Sequence, residues 1–452
     1  MLRRCKVVDR RDVAELAAKF AKRQGFDPTG LEAAVRDILA DVALRGDVAV
    51  LERTRIYDHP GASAIEVHPE AIEAAVARVR ATELWDALNL AADRVRRFHE
   101  PQRRATWMDM AREGEMLGQR ISPLRRVGIY VPGGRGAYPS TVLMTAVPAR
   151  VAGVEDLVLA TPPARETGLP PDATLAAAAV AGVDRVFAMG GAQAVGALAY
   201  GTEVVPKVDK VVGPGNAYVN EAKRQVFGVV GIDMLAGPSE VGVVADASAS
   251  PEGVAAELVC QTEHDPANGA VLVAVGSGVA EPMMEALERA LEDLPRADIV
   301  RAALSGNGWL VEVADMATAA EIMDAYAPEH LHLDVEEPWM ALAWFRNAGA
   351  ILLGPWSSAA HGDYVAGPSH TLPTAGAARY SSPLNVDDFL KKTSIICLDR
   401  GAASRIAPMA DTFGRFEGLE GHARSARRTL MPPGPVDGNP QERGPRTGNQ
   451  HK

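Results

Sequence analysis

The chain has 452 residues, 47% apolar and 23% charged, with a net charge of −11. That length needs two or three packed cores, and the composition is that of a globular enzyme rather than a disordered or fibrous chain. The acidic balance, without any basic run, excludes broad phosphate-backbone binding, so no nucleic-acid partner is expected.

In chain order, Met1-Leu-Arg-Arg-Cys-Lys lacks the apolar core of a signal peptide. Residues 1–124 read as an N-terminal helical region, part of which packs on the second α/β unit. Arg11–Arg23, Leu31–Leu44, Glu70–Ala81 and Trp85–Phe98 carry apolar residues at helical spacing, and Pro69 sits at a plausible helix start. These helices read as scaffold.

Residues 125–236 read as a first α/β unit. Val127–Val131, Asp156–Ala160, Arg185–Met189 and Val208–Val212 are short apolar strands. Each is followed by a helix: Thr141–Val151, Thr174–Ala181, Ala192–Tyr200 and Tyr218–Phe227. Such alternation implies a parallel sheet covered on both faces, with ligands at the carboxyl ends of its strands. Leu175–Val180, among the longest apolar runs, is far too short to span a membrane.

Residues 237–382 repeat the pattern in a second α/β unit, with strands at Glu240–Ala245, Ala270–Val275, Trp309–Val313 and Ala350–Leu353. Its helices are expected at Pro251–Thr262, Val279–Leu291, Ala317–Ala325 and Pro338–Arg346. The similar size of the units suggests a duplicated architecture, although no residue-level repeat is visible. A tail follows over 383–430, with a segment Val386–Leu398 and helices near Ala402–Ala410 and Phe416–Arg427. Residues 431–452, rich in Pro, Gly, Asn and Arg, read as disordered. The fold class is therefore α/β, with two Rossmann-like parallel-sheet units, an N-terminal helical region and a C-terminal helical dimerisation tail.

Chemistry-bearing residues concentrate in the second half. Six of the ten histidines lie between 264 and 422, most of them near a carboxylate or carboxamide. Gln261 and His264 share one face near a helix end. Glu329–His330 sits at a turn before Leu331-His-Leu333. Asp363 and His370 belong to an irregular Gly- and Pro-bearing loop, and Glu417 and His422 are about 140° apart if one helix carries both. Alone, each signal reads more readily as solvated polarity than as a site; together they suit a nitrogen- and oxygen-ligated cation such as zinc beside a proton-transfer pair. Gly133-Gly-Arg-Gly136 is either a phosphate cradle or a tight turn, and is not the G-x-G-x-x-G signature. Cys5, Cys260 and Cys397 form no disulfide framework or zinc-ribbon spacing, which fits a reducing cytoplasm.

Longer strings carry a specific resemblance. Val127-Gly-Ile-Tyr-Val-Pro-Gly-Gly-Arg-Gly-Ala-Tyr-Pro-Ser140, Gly190-Gly-Ala-Gln-Ala194, Val212-Gly-Pro-Gly-Asn216 and Ala236-Gly-Pro-Ser-Glu240 resemble the histidinol dehydrogenase family. So do Gln261-Thr-Glu-His-Asp265, Ala327-Pro-Glu-His-Leu331, Gly362-Asp-Tyr-Val-Ala-Gly-Pro-Ser-His370 and Glu417-Gly-Leu-Glu-Gly-His422. The resemblance runs in order from about residue 10 to residue 429. It implies oxidation of L-histidinol to L-histidine through histidinal, in two successive hydride transfers to NAD that end histidine biosynthesis.

The resemblance also implies residue roles. Gln261, His264, Asp363 and His422 ligate one Zn2+ per subunit, His422 coming from the partner in a domain-swapped homodimer with shared active sites. Glu329 and His330 are the catalytic pair. Ser239, His370 and Glu417 help hold the substrate, Glu417 again from the partner, and Tyr130, Gln193 and Asn216 contact NAD. On this reading the metal mainly anchors histidinol's imidazole and amine, so its ligands and His330 also line the substrate site. His330 accepts the hydroxyl proton and Glu329 activates water for the second oxidation.

Three features depart from the family pattern: Cys260 before Gln261, His361 near Asp363, and Ser305-Gly-Asn-Gly-Trp309. A paralogue oxidising another small polar alcohol is the competing enzyme reading. A catalytically inactive metabolite-binding protein is the competing non-enzyme reading.

Overall fold

The strand Arg126–Tyr130 buries all but its first residue. A parallel strand covered on both faces requires such continuous burial. A computed structural model describes residues 2–22, 29–133 and 136–430. The expected disordered stretch 431–452, Gly134–Arg135 and the Arg23 end of the first expected helix lie outside the described residues. The chain forms two units, Met1–Arg103 with Pro123–Leu390, and Arg104–Ser122 with Lys391–Lys452.

Strand β1 is Arg3–Lys6, β2 Trp107–Asp109 and β3 Glu115–Pro123. β4 (Arg126–Tyr130), β5 (Asp156–Thr161), β6 (Arg185–Ala188), β7 (Lys210–Val212) and β8 (Gly231–Ile232) form a sheet in the order β6-β5-β4-β7-β8. β9 (Glu240–Ala245), β10 (Gly269–Val275), β11 (Gly308–Val313), β12 (His330–Asp334) and β13 (Ala350–Leu353) join β1 in the order β1-β11-β10-β9-β12-β13. Neighbours in both sheets run parallel. β14 (Leu390–Leu398) lies beside the β2–β3 antiparallel pair in the smaller unit.

In each parallel sheet the first strand is central. The next two extend to one side and the following two to the other. The two sheets thus share one winding, which answers the duplication suggested by the sequence, and β1 extends the second. Each reverses direction next to its first strand, at β4/β7 and β9/β12, where α/β sheets open a crevice. The α/β class with two Rossmann-like parallel sheets is the observed one.

Local differences have physical reasons. β1 is four mostly exposed residues without strand periodicity, and its register comes from backbone pairing with β11. A helix at Asp47–Tyr57 escaped the pattern because its apolar residues run consecutively from Val48 to Leu51. Gly46, at φ 54°, separates it from helix Glu32–Arg45. The segment Ser305-Gly-Asn ends helix Ala297–Asn307, which leads straight into β11. Pro338–Arg346 yields only helix Pro338–Ala341 and a 3-10 turn Leu342–Trp344.

Helices Glu32–Arg45 and Asp47–Tyr57 pack on helix Gly191–Tyr200, while Pro69–Arg80 and Glu83–His99 cover helices Pro139–Ala152 and Asp172–Ala181. Helix Arg10–Ala21 packs against Met316–Tyr326, beside the second sheet. Ile129, Leu157 and Leu159 are fully buried in the first core. Truncating one such side chain to alanine costs about 2–5 kcal/mol.

Candidate active site

At the carboxyl end of the first sheet, Tyr130 ends β4, Gln193 lies in the first turn of helix Gly191–Tyr200, and Asn216 follows β7. All three line a cavity of about 790 Å³. Tyr130 is buried, its hydroxyl accepts the Gly191 N–H at 3.1 Å, and burial pushes its pKa up to about 12. Asn216 caps helix Ala217–Val226, its side-chain oxygen accepting the Val219 N–H at 3.1 Å.

Between Tyr130 and Asn216 the chain turns at Gly213, where φ is +111° and an added Cβ would meet the Tyr130 carbonyl at 2.1 Å. Lys223 Nζ donates to the Gly213 carbonyl at 3.0 Å, and the Gly213 N–H donates to Asp233 at 2.7 Å. Lys223 and Asp233 form an ion pair with side chains 1% and 0% exposed. The buried pair clamps the turn from both sides.

At the second sheet the site lies at the amino ends of the strands, opposite to the usual edge of such sheets. Glu329 immediately precedes β12 and His330 begins it. The Glu329 carboxylate accepts the Glu240 N–H at 3.1 Å and lies 3.9 Å from His330 Nδ1. Burial pushes Glu329 up to about 7, against the pull of His330 and the Glu240 N–H. For His330, burial disfavours the cation, but the hydrogen bond to Asp363 and the Glu329 charge prevail and raise its pKa. Nδ1 of His330 is buried without a hydrogen-bond partner among the described residues. A carboxylate and an imidazole with pKa values driven up beside each other can exchange protons with a ligand.

Asp363 comes from helix Ala359–Tyr364, capped by Ser358. One carboxylate oxygen lies 3.4 Å from His330 Nε2, and the other accepts from Gln261 Nε2 at 3.3 Å. Burial favours the neutral acid, yet the His330 contact outweighs it and holds Asp363 below the usual carboxylate range. Gln261 is buried in the last turn of helix Pro251–Thr262, which Ser250 caps. Its carbonyl accepts from Asn268, whose own side-chain oxygen accepts the Ser239 N–H at 3.1 Å.

His370 donates from Nδ1 to the Asp363 carbonyl at 2.8 Å and faces the Thr141 hydroxyl through Nε2 at 3.1 Å. A carbonyl can only accept, so Nδ1 carries the proton and Nε2 accepts from Thr141. Burial lowers the His370 pKa. Because Thr141 opens the helix after β4, this bond joins the edges of the two parallel sheets. His330, Asp363 and His370 line a second cavity of about 690 Å³ with Trp339, Trp356 and the exposed His361.

The structure therefore brings Glu329, His330, Gln261, Asp363 and His370 together. Ser239, just ahead of β9, is tied in through Asn268. His264 lies two residues beyond its helix and is exposed, its carbonyl accepting from Arg296. His422 and Glu417 belong to the smaller unit and are exposed there. They do not share one helix, as the 140° reading assumed. Glu417 ends helix Arg400–Phe416, Gly418 turns the chain at φ 73°, and His422 lies in helix Glu420–Arg428. Among the described residues of the single chain, no three His, Cys, Asp or Glu side chains form a metal-binding group.

Two supports carried no sequence signal. Glu257, one turn before Gln261, accepts the Ala359 N–H at 2.9 Å and so fixes the helix that bears Asp363. Its carboxylate is 3.8 Å from His332, on the same strand as His330, while His332 Nε2 meets the Gly354 carbonyl. Asp58, at the end of helix Asp47–Tyr57, lines the first cavity. Cys260 is half-buried, and burial pushes its thiol up to about 12, so it stays protonated.

The winding, the cavity at the first sheet's switch point and the buried Glu329–His330 pair define an α/β enzyme with two Rossmann-like sheets. Residues 21–430 match the histidinol dehydrogenase family model. The histidinol dehydrogenase of Ralstonia nicotianae is 47% identical over 92% of this chain and 96% of its own. That of Moorella thermoacetica is 51% identical over 88% and 93%. The crystal structure of histidinol dehydrogenase from Elizabethkingia anophelis superposes with a TM-score of 0.89 at 32% identity, covering 95% of this chain and 98% of that one. The chain belongs to the histidinol dehydrogenase family and is an oxidoreductase of histidine biosynthesis. No helix among the described residues is long and apolar enough to cross a membrane.

Proposed function

We propose that this protein oxidises L-histidinol to L-histidine with two equivalents of NAD, in the cytoplasm, as a Zn2+-dependent homodimer. The observation that carries the chemistry is the buried Glu329–His330 pair at the amino end of β12, within reach of Asp363. Such a pair can manage two different proton transfers in one pocket.

The donor set fits zinc. A carboxylate and a carboxamide meet at 3.3 Å, and among the described residues neither Asp363 nor Glu329 has a lysine or arginine partner. Oxygen and imidazole donors of this kind suit a borderline dication. Gln261, His264 and Asp363 would hold it, with His422 supplied by a second copy. Bound there, the ion would anchor the imidazole and amine of histidinol and orient its alcohol carbon.

Tyr130, Gln193 and Asn216 would hold NAD in the first cavity, and bound NAD supplies the hydride acceptor. His330 takes the hydroxyl proton as the alcohol carbon loses hydride, leaving histidinal. Glu329 then removes a proton from water as it adds to the aldehyde, and the hydrate loses a second hydride. The balance is one alcohol, two NAD and one water giving one carboxylate, two NADH and three protons. Ser239, His370 and the partner's Glu417 would position the substrate. Ile396, Met409, Phe413 and Phe416 are exposed on the smaller unit. A surface of that apolar character supports its burial against a second copy.

The test is a turnover assay of zinc-loaded protein with L-histidinol and NAD. Two NADH per histidinol, with histidine as product, is expected. No NADH, or one equivalent with free histidinal, would sink the proposal.

A further inference from the structure

We infer that Asp58 reads the adenosine ribose of the dinucleotide and selects NAD over its 2′-phosphorylated form. The inference rests on the dinucleotide reading of the first cavity and adds a residue to it from outside the α/β units.

Asp58 follows helix Asp47–Tyr57, in a region that reads from sequence as scaffold. Its backbone N–H donates to the Thr54 carbonyl at 2.9 Å, closing the helix. Its side chain lines the cavity with Tyr130, Gln193 and Asn216. Oδ2 is buried and has no hydrogen-bond partner among the described residues. It lies over the turn that ends β6: a Cβ built on Gly190 would stand 3.4 Å from this oxygen and 2.7 Å from Pro162. Burial alone pushes the carboxyl up to about 6, as expected of an acceptor that has lost water and gained nothing.

The position is held firmly. After Asp58 the chain runs along the outer edge of β6, where the Val67 N–H donates to Val186 at 2.9 Å and the Ala188 N–H to Ile65 at 2.7 Å. Arg185 grips Glu66 through two bonds at 2.7 and 2.8 Å. His59 Nδ1 meets the Arg165 carbonyl at 2.8 Å. The strap therefore fixes a carboxylate at the carboxyl edge of a mononucleotide-type sheet.

An ionised carboxylate only accepts hydrogen bonds. A vicinal diol offers two O–H donors at a spacing that its two oxygens match, so a ribose satisfies the orphaned atom. A phosphate monoester at the 2′ position removes one donor and sets like charges together. Acidic side chains near the first strands of nucleotide-binding sheets discriminate in this way in general.

The test measures dissociation constants for NAD and NADP by titration calorimetry without histidinol, for the wild type, Asp58→Ala and Asp58→Asn. Thermal midpoints confirm folding, and the near-isosteric Asn variant covers failure of Ala. Weaker NAD binding by about tenfold or more is expected. The NADP-to-NAD ratio of dissociation constants should fall by a similar factor. An unchanged ratio overturns the assignment, including the case where NAD weakens but NADP weakens equally, which would place Asp58 against another part of the dinucleotide. If the wild type binds neither dinucleotide, the cavity reading itself fails and the assignment falls with it.

Discussion

Nε2 of His330 lies 3.4 Å from Oδ1 of Asp363, joining the first residue of β12 to a short helix that follows β13. The same carboxylate meets Gln261 through its other oxygen. One carboxylate thus couples the proposed metal face to the proton-handling face. Glu257 props the arrangement from below by binding the amino end of the Asp363 helix.

His330→Asn keeps a polar group near the Nδ1 position while removing the base. The first oxidation should slow by about 10²–10⁴-fold, whereas zinc content should stay near wild type. Pre-steady-state NADH formation and metal analysis check both. Turnover at the normal rate would remove His330 from the proton-transfer role.

Glu329→Gln should harm histidinal oxidation more than histidinol oxidation, measured in single turnovers started from each substrate. Glu329 acts ionised, and burial places its pKa at about 7. The rate of the aldehyde step in the wild type should therefore fall about tenfold per pH unit below that value and level off above it. A flat profile between pH 5 and 8 would contradict the role.

The same shift makes a stability prediction. The folded pKa of about 7 exceeds the ordinary 4.5, so its contribution is fully present below about pH 4.5 and is lost as pH rises through 7. In metal-free protein the loss amounts to about 3 kcal/mol. His330, also raised, changes in the same direction. Glu329→Gln should therefore gain stability relative to wild type between pH 5 and pH 8 in denaturant titrations. An equal difference at both values would mean that the carboxylate is better solvated than its burial implies.

Lys223→Met leaves Asp233 buried without its cation and should cost about 3–5 kcal/mol. Gly213→Ala should cost more than about 2 kcal/mol, since it combines a strained φ with a collision against the Tyr130 carbonyl. Both changes distort the turn before Asn216, so weaker NAD binding should accompany the lower midpoints. Unaltered NAD affinity in a folded Gly213→Ala protein would argue against this turn as part of the cofactor site.

If His422 serves the neighbouring chain, His330→Asn and His422→Ala homodimers should each be inactive yet complement each other. Subunit exchange at equal amounts should restore about a quarter of wild-type activity, because half the dimers carry one intact site. No recovery, with exchange verified by mass, would place His422 in its own chain's site, and an active His422→Ala homodimer would place it outside any.

The sequence by itself determined the alternation of strands and helices, since strands buried on both faces must be continuously apolar. Val127–Val131 was legible for that reason, and helix Pro251–Thr262 by apolar residues at helical spacing. Gln261, Asp363 and Glu329–His330 were legible as a chemical set, and the family strings grouped them, but no periodicity shows which sheet edge a turn will occupy. Only the tertiary structure decided that Glu329 and His330 stand at the amino ends of their sheet while Tyr130 and Asn216 stand at the carboxyl ends of theirs. It also decided that Gly418 parts Glu417 from His422, and that a strap from the helical region carries Asp58 to the cavity. Backbone pairing and burial set these relations, and both depend on contacts between residues far apart in the chain rather than on local pattern.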